Sequence, residues 1–296
     1  MKTLRQVMPV TRPHWVGDGF NVYPLLGQLA FTKDISPFLM LDYAAPKVFE
    51  PTTRKLGVGQ HPHRGFETVT IAYQGEVEHG DSEGHTGVIG PGDVQWMTAA
   101  SGIIHEEFHS KNFAKKGGVF EMVQLWVNLP AANKMDPPKY QPILSSEIPE
   151  VPLPGDAGKV SVIAGDFQGT AGRASTHTPV NMWDVTLKAG RSLLATIPDG
   201  HNTIVFVRSG SVTTAGIGKD GQSSAANIVQ GQISIFSQDG HSISLEAGAE
   251  DAQVVVLSGE PIDEPIAARG PFVMNTQEEL YQAMDDYSKG RLGKHF

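Results

Sequence analysis

The chain has 296 residues, enough for two domains with substantial cores, and it contains no cysteine, which excludes disulfides, thiol nucleophiles and thiolate metal sites. A formal net charge of −9 at pH 7 argues against direct binding of nucleic acid, which needs clustered Lys and Arg. Because we see no secretion signal and no apolar run near the roughly 20 residues that span a bilayer, we expect a cytoplasmic protein with no membrane partner.

Short apolar segments bounded by glycine and proline follow one another along the chain. They combine β-branched or aromatic residues with turn signals. Several alternate strictly, so that Val69, Ile71 and Tyr73 point to one face of a strand and the residues between them to the other. This pattern predicts an all-β fold of antiparallel barrels or sandwiches. The segments are ETVTIAYQGEVEH, GDVQWMTA, FEMVQLWVNL, NMWDVTLKAG, NTIVFVRSGSVTTAGI, GQISIFS and AQVVVLSG.

Two polar stretches of the first half are predicted to be solvated turns. The basic stretch KNFAKKGG, residues 111–118, stands beside glycines. The acidic stretch EVEHGDSEGHTG carries His79 and His85 at its flanks, and we expect a solvated hairpin there rather than a second metal site.

A proline-rich, weakly periodic segment at 134–158 predicts a linker between an N-terminal domain, 1–133, and a C-terminal domain, 159–296. The sequences of the two domains resemble each other at similar offsets. We therefore predict an internal duplication of one small β-barrel. The matching stretches are IAYQGEV (71–77) with VFVRSGSV (205–212) and IGPGDVQWM (89–97) with IVQGQISIF (228–236).

The last predicted element is a helix in NTQEELYQAMDDYSKG. A capping box, with Thr276 at the N-cap and Glu279 at N3, marks its beginning. Gly290 marks its end. One apolar stripe at helical spacing predicts that this helix packs on the protein. The stripe consists of Leu280, Ala283, Met284 and Tyr287.

Two pairs of side chains in the first half have the spacing of metal ligands. His61 and His63 are two residues apart, and so are His105 and Glu107. Residues two apart on a strand share a face, so strand pairing could bring three imidazoles and one carboxylate to a single ion. The alternative is that His61 and His63 are surface loop residues and that His105 and Glu107 are ordinary polar positions. A single His-x-His pair would favour this alternative.

The second half provides an internal comparison. Aligning Gly75 with Gly210 puts Thr196 and Pro198 at the positions of His61 and His63. The later stretch QDGHSISLEAG has no His-x-Glu pair. The candidate ligands are absent together while the glycines and apolar positions remain. This pattern favours a metal site in the first half and a metal-free, structural second half.

Four stretches of the chain are distinctive: HPHRGFETVTI, PGDVQWMTAASGIIHEE, VQLWVNLP and GEPIDEPIAARGPFVMNT. They resemble the pirin family, two-domain members of the cupin superfamily, and the resemblance covers nearly the whole chain. It implies a bicupin in which two antiparallel β-barrel or jelly-roll domains lie face to face, with iron in the N-terminal domain only. The family's metal ligands correspond to His61, His63, His105 and Glu107.

Imidazole and carboxylate donors by themselves suit Fe, Mn, Ni, Cu, Co or Zn and do not choose among them. A structural zinc site would more often be closed and rich in cysteine. Four protein ligands in an octahedral site leave two positions open, enough for a chelating substrate or for substrate and dioxygen. The resemblance implies one divalent ion per chain, with Fe(II) expected.

The resemblance also implies an oxidoreductase of the quercetin 2,3-dioxygenase type, which opens the ring of a flavonol with dioxygen. Glu107 is the first candidate for the base that takes the substrate proton. Glu67 is the second candidate, because it stands four residues beyond His63 and shares its face if the strand is regular. The alternative function is an iron-dependent regulatory binding protein, which would act through protein–protein contact as a transcriptional co-regulator or as a modulator of a metabolic enzyme.

Overall fold

The structure is a computed structural model and describes residues 1–217 and 223–293. The chain forms two compact units, each assembled from three segments. The sequence predicted contiguous domains at 1–133 and 159–296, so the observed division differs from the expected one. The first unit consists of Thr11–Thr32, Phe38–Ser145 and Ile262–Phe296, and the second consists of Met1–Val10, Lys33–Pro37 and Ser146–Pro261.

The first unit is a jelly roll of two antiparallel sheets. A core of residues from both sheets, including Phe20, Ala72, Val77 and Phe120, fills the space between them. The larger sheet has the order β12-β9-β6-β11-β4-β3-β2 and the smaller one β5-β10-β7-β8. The strands are β2 (His14–Val16), β3 (Phe20–Pro24), β4 (Phe38–Phe49), β5 (Gly57–His63), β6 (Phe66–Gln74), β7 (Val77–Asp81), β8 (Thr86–Ile89), β9 (Val94–Thr98), β10 (Ile103–His109), β11 (Gly118–Asn128) and β12 (Lys139–Ile143).

The second unit has the same two-sheet construction. Its sheet orders are β1-β22-β19-β24-β17-β14-β13 and β18-β23-β20-β21, with a separate hairpin, β15-β16. The strands are β1 (Leu4–Met8), β13 (Glu150–Pro152), β14 (Gly158–Ala164), β15 (Asp166–Phe167), β16 (Thr170–Ala171), β17 (Val180–Leu187), β18 (Ser192–Thr196), β19 (Asn202–Ser209), β20 (Ser211–Ile217), β21 (Ser223–Val229), β22 (Ile233–Phe236), β23 (Ser242–Ala247) and β24 (Ala252–Gly259).

The two strand orders correspond position by position. Apart from the edge strands β12 and β1, each strand of the first unit's two large sheets has its counterpart at the same place in the second unit's chain order. Thus β5 corresponds to β18, β6 to β19 and β10 to β23. The predicted internal duplication is confirmed as a repeat of one topology.

The segment predicted as a linker, 134–158, is ordered structure. Its strand β12 pairs with β9, and its strand β13 pairs with β14. Lys134 is 1% exposed, and its Nζ donates to the backbone oxygens of Gly65 and Val273 over 2.7 and 3.0 Å. Proline is tolerated on edge strands, which is why a proline-rich sequence still forms them.

The two ends of the chain account for the discontinuous units. The N-terminal strand β1 pairs with β22, and the Nζ of the buried Lys2 donates to the backbone oxygen of His201 over 2.9 Å. The C-terminal segment joins the first unit, where β25 (Ala267–Arg269) and β26 (Phe272–Met274) form a hairpin. Strand pairing depends on matching surfaces rather than on distance along the chain, so the contiguous boundaries did not anticipate it.

The C-terminal helix, α2 (Gln277–Ser288), begins with the predicted capping box. Its buried Leu280 and Ala283 pack in a cluster with Ile104 and Phe272 of the first unit. Arg64 donates to Asp286 of this helix over 2.9 Å. The sequence assigned the helix to the C-terminal domain; its apolar stripe instead meets the first unit.

The basic stretch at 111–118 is also more structured than predicted. It contains a short helix, α1 (Lys111–Lys116), in which Phe113 and Ala114 are buried. Ser110 caps it by accepting from the backbone N–H of Phe113. The α-helices of the described residues, α1 and α2, have 6 and 12 residues, and no helix of these residues is long and apolar enough to cross a membrane.

Candidate metal centre

Two neighbouring strands of the smaller sheet, β5 and β10, carry the four predicted ligands. The antiparallel register places His61 directly opposite His105 and His63 opposite Ile103. A register shift follows His105, so that Glu107 lies opposite Val58. The predicted pairs therefore meet on adjacent strands, as strand alternation required.

The three histidines form a compact group. One metal-binding atom from each of His61, His63 and His105 lies within 4.8 Å of the others. The ring centroid of His105 is 4.3 Å from that of His61 and 4.9 Å from that of His63. These separations allow all three imidazoles to reach a single ion.

A second group joins Glu107 to the cluster. His79, His105 and Glu107 also have metal-binding atoms within 4.8 Å of one another, so His105 belongs to both groups. His79 lies opposite Glu107 in the pairing of β7 with β10 and is 2% exposed. Its ring nitrogen Nε2 lies 3.2 Å from Oδ2 of the buried Asp81.

The prediction that His79 belongs to a solvated hairpin was therefore wrong. The turn residues Glu83 and Gly84 are exposed, but His79 and Asp81 point into the jelly roll together with Val77. The period-two spacing of Val77, His79 and Asp81 was the signal for a buried strand face, and the surrounding charge concealed it.

The donor atoms fit a divalent metal ion. Within the part of the chain that the structure describes, both ring nitrogens of His105 and Nδ1 of His63 are buried without a hydrogen-bond partner. Burial, and after it the neighbouring His61, holds the pKa of both residues well below 6.5, so their imidazoles are neutral. Neutral imidazole lone pairs are metal ligands, and leaving them buried and unpaired is costly. The Nδ1 of His61 lies 2.8 Å from the backbone oxygen of Gly59, which leaves its Nε2 for an ion.

Glu107 is held from the opposite sheet. The Nε2 of Gln95 donates to Oε1 of Glu107 over 3.1 Å, and the Nε2 of Gln124 donates to Oε2 over 3.3 Å. Each amide contacts a different carboxylate oxygen, so the two bonds fix the plane of the carboxylate. Sequence reasoning missed both glutamines because β9 and β11 belong to the larger sheet, and strand alternation does not predict contacts between two sheets.

These glutamines belong to a polar row across the larger sheet. Asp42 is opposite Gln124, Gln124 is opposite Thr70, and Thr70 is opposite Gln95. Residues directly opposite on antiparallel strands share a face, so the whole row points toward Glu107. Burial raises the pKa of Asp42 to about 7.

Glu67, the second candidate base, points to the other face of the larger sheet. Its Oε1 accepts from Oγ1 of Thr98 over 2.7 Å. Thr98 is three residues from Gln95 on β9, and so it faces away from Glu107. The predicted shared face assumed one regular strand, but β5 ends at His63 and Gly65 turns the chain with a φ of 89° before β6 begins.

Glu67 is fully buried in this position, with 0% exposure. Burial raises its pKa to about 7. The structure thus brings Glu107, but not Glu67, to the histidine cluster.

The corresponding positions of the second unit are apolar. In the first unit Val77 lies opposite His109, and in the second unit its counterpart Val212 lies opposite Ala247. His109 therefore corresponds to Ala247, which aligns β10 with β23 residue by residue. By this alignment His105 corresponds to Ile243. Because His61 lies opposite His105 and Ala195 lies opposite Ile243, His61 corresponds to Ala195. The counterparts of His61, His63, His105 and Glu107 are Ala195, Ile197, Ile243 and Leu245, all in the apolar core.

The sequence alignment with Thr196 and Pro198 was therefore wrong by one residue. It assumed a single offset from Gly75 and Gly210 back through the preceding turn, whereas the strand register differs by one. Aliphatic side chains have no donor atom for a metal, so the physical argument for a structural second unit rests on the corrected residues.

Two family models match this chain, described as pirin over residues 19–127 and as the pirin C-terminal cupin domain over residues 182–293. A Pseudomonas aeruginosa protein named "Putative quercetin 2,3-dioxygenase" is 52% identical over 291 residues, which cover 98% of each chain. The chain belongs to the pirin family.

Solved structures agree with this membership. The crystal structure of a quercetin 2,3-dioxygenase from Acinetobacter baumannii matches with a TM-score of 0.92 and 48% identity, covering 99% of both chains. A bacterial pirin from Escherichia coli in complex with nickel(II) matches with a TM-score of 0.63 and 17% identity, covering 87% of this chain and 100% of that one. At 17% identity, the similarity to the Escherichia coli pirin shows a shared fold only.

Proposed function

We propose that this pirin-family protein binds one divalent metal ion, Fe(II), through His61, His63, His105 and Glu107 and opens the ring of a flavonol such as quercetin with dioxygen. The buried cluster of unpartnered histidine nitrogens beside Glu107 is the observation that carries the proposal. The 52% identical relative supports the reaction class. The donor set also suits Mn, Ni, Cu, Co and Zn, and Fe(II) follows from the family resemblance.

When bound, the ion would supply Lewis acidity and a template that brings substrate and dioxygen together. The protein's part in the proposed reaction is proton transfer and orientation. Glu107 accepts the proton of the flavonol hydroxyl, which an amide in its place could not do. Gln95 and Gln124 hold the carboxylate in one plane while it does so.

Aromatic side chains beside His63 suit a flat substrate. The ring of His63 lies 5.1 Å from that of Phe66 and 5.3 Å from that of Trp126. Phe31 packs edge-on against Trp126 at 6.0 Å, and both are partly exposed. Ring faces of this kind favour stacking with an aromatic ligand.

The test is oxygen consumption with quercetin by protein loaded with Fe(II). We expect turnover, and we expect Glu107→Gln to lower it by about 100-fold or more per bound metal, the range for a lost general base. Glu106→Gln is the matched control, because its carboxylate is bonded to Lys55 at the surface. The comparison must be normalised to bound metal, since Glu107 is also a proposed ligand.

Two results would count against the proposal. Unchanged turnover per bound metal in Glu107→Gln would show that Glu107 is not the base. Metal-loaded protein that binds quercetin but consumes no oxygen would favour the alternative, an iron-dependent regulatory protein that acts through a protein partner.

A further inference from the structure

Tyr140 lies beside the metal centre although it comes from the stretch that the sequence predicted to be a linker. It sits on the edge strand β12, opposite Met97 of β9. Its hydroxyl is hydrogen bonded to Oε1 of Gln95 over 3.2 Å. The other end of the same amide donates to Glu107, so the hydroxyl and the carboxylate are linked through one side chain.

The direction of this chain of hydrogen bonds follows from chemistry. An ionised carboxylate only accepts, so the amide must present its NH₂ group to Glu107 and its oxygen to Tyr140. The hydroxyl therefore donates to Gln95. Gln95 is 0% exposed, so its amide oxygen has no contact with bulk solvent. Without the hydroxyl of Tyr140, the amide oxygen would be buried and unpaired, and the side chain would gain by turning away from Glu107.

The ring of Tyr140 also stacks on two histidines, and one of them, His79, lies opposite Glu107. It stacks on His79 with centroids 4.7 Å apart and an interplanar angle of 15°, and on His85 at 5.5 Å and 18°. Asp81 binds both imidazoles, at 3.2 Å from His79 and 3.0 Å from His85. The ring thus fixes the plane of the histidine that shares a metal-binding group with Glu107.

We propose that Tyr140 is a positioning residue of the metal centre, which acts through Gln95 to hold the carboxylate of Glu107 toward the ion. The proposal rests on the metal site of the proposed function. Burial, and then the carboxylates of Glu107 and Asp81, raise the pKa of Tyr140 well above its ordinary value. The hydroxyl therefore remains a donor over the working pH range.

The test is a titration with Co(II) alone, which reports affinity and, through visible absorption, the number and geometry of ligands. Tyr140→Phe removes one oxygen atom and keeps the stacked ring, so the fold is retained. We expect it to raise the Co(II) dissociation constant about tenfold, the low end for residues that hold a metal ligand, and to change the absorption of the bound ion.

A double-mutant cycle with Gln95→Met identifies the route. In the Gln95→Met background, Tyr140→Phe should have no further effect on affinity or absorption. Tyr281→Phe, an exposed tyrosine on α2, is the matched control and should bind Co(II) like the wild type.

The outcomes separate the two proposals. If the wild type binds Co(II) and Tyr140→Phe matches it in affinity and absorption, the positioning role is wrong and the metal site stands. If the two substitutions are additive, Tyr140 does not act through Gln95. If the wild type binds no Co(II), the metal site fails and the role of Tyr140 falls with it.

Discussion

His61 lies directly opposite His105 in the pairing of β5 with β10, with their ring centroids 4.3 Å apart. This pair is the centre of the histidine cluster, and the same pair of positions in the second unit holds Ala195 and Ile243. The two units thus share one topology but differ in their interiors, which are polar at these positions in the first unit and apolar in the second. The polar interior is the proposed metal site, and the apolar interior contributes packing.

His105→Ala should abolish stoichiometric metal binding. His105 belongs to both groups of metal-binding atoms, so its loss breaks each of them. We expect affinity to fall by more than about a hundredfold, since residues outside the ligand shell already account for 10- to 100-fold. Elemental analysis of the variant after dialysis against metal measures the amount of metal bound per chain. His14→Ala, at an exposed position, is the control, and full occupancy in His105→Ala would refute the assignment.

Ile243→Ala should have the opposite profile. Ile243 is the counterpart of His105 but is 1% exposed within an apolar core. Its truncation should cost about 2–5 kcal/mol of unfolding free energy through lost burial and a cavity. Metal content should remain one ion per chain. Urea unfolding together with metal analysis checks this, and loss of metal without loss of stability would contradict the division between the units.

Acid should release the metal, because it protonates the histidines of the site. The pKa values of His63 and His105 are held below 6.5 in the folded protein, so the unfolded chain binds more protons as pH falls through 6.5. The contribution of these two histidines to stability therefore decreases from pH 7 toward pH 5, and protonation competes with the ion for the same nitrogens. A metal indicator followed during acid titration measures release. Retention unchanged down to roughly pH 3 would exclude a histidine-dominated site.

Glu67→Gln should stabilise the protein at alkaline pH. The folded pKa of Glu67 is about 7 against an ordinary value of 4.5, so the folded state binds the extra proton between these values. That stability is present at low pH and is lost as pH rises through 7. At pH 8 the variant should gain about 1–3 kcal/mol over the wild type, and at pH 4 it should gain little.

Urea unfolding at the two pH values measures the effect of Glu67→Gln. Glu106→Gln, at a partly exposed position, should show no such pH dependence. If Glu67→Gln lost more quercetin turnover than Glu107→Gln does, Glu67 would be the base. That result would contradict the structure, which places Glu67 on the other face of the sheet.

Local patterns in the sequence determined much of this molecule. The period of two predicted that His61 and His63 share a face, as do His105 and Glu107, and the capping box predicted where α2 begins. The repeated glycines predicted the duplication. Each of these features depends on backbone geometry over a few residues, which the sequence shows directly.

Only the tertiary structure decided which polar residues join the site. The turn at Gly65 sends Glu67 to the far face of its sheet, and strand pairing brings His79 beside Glu107. Packing of the two sheets then places Gln95 against Glu107, with Tyr140 behind it. Register, turns and sheet packing depend on the fit between surfaces that are distant along the chain, and no local spacing records that fit.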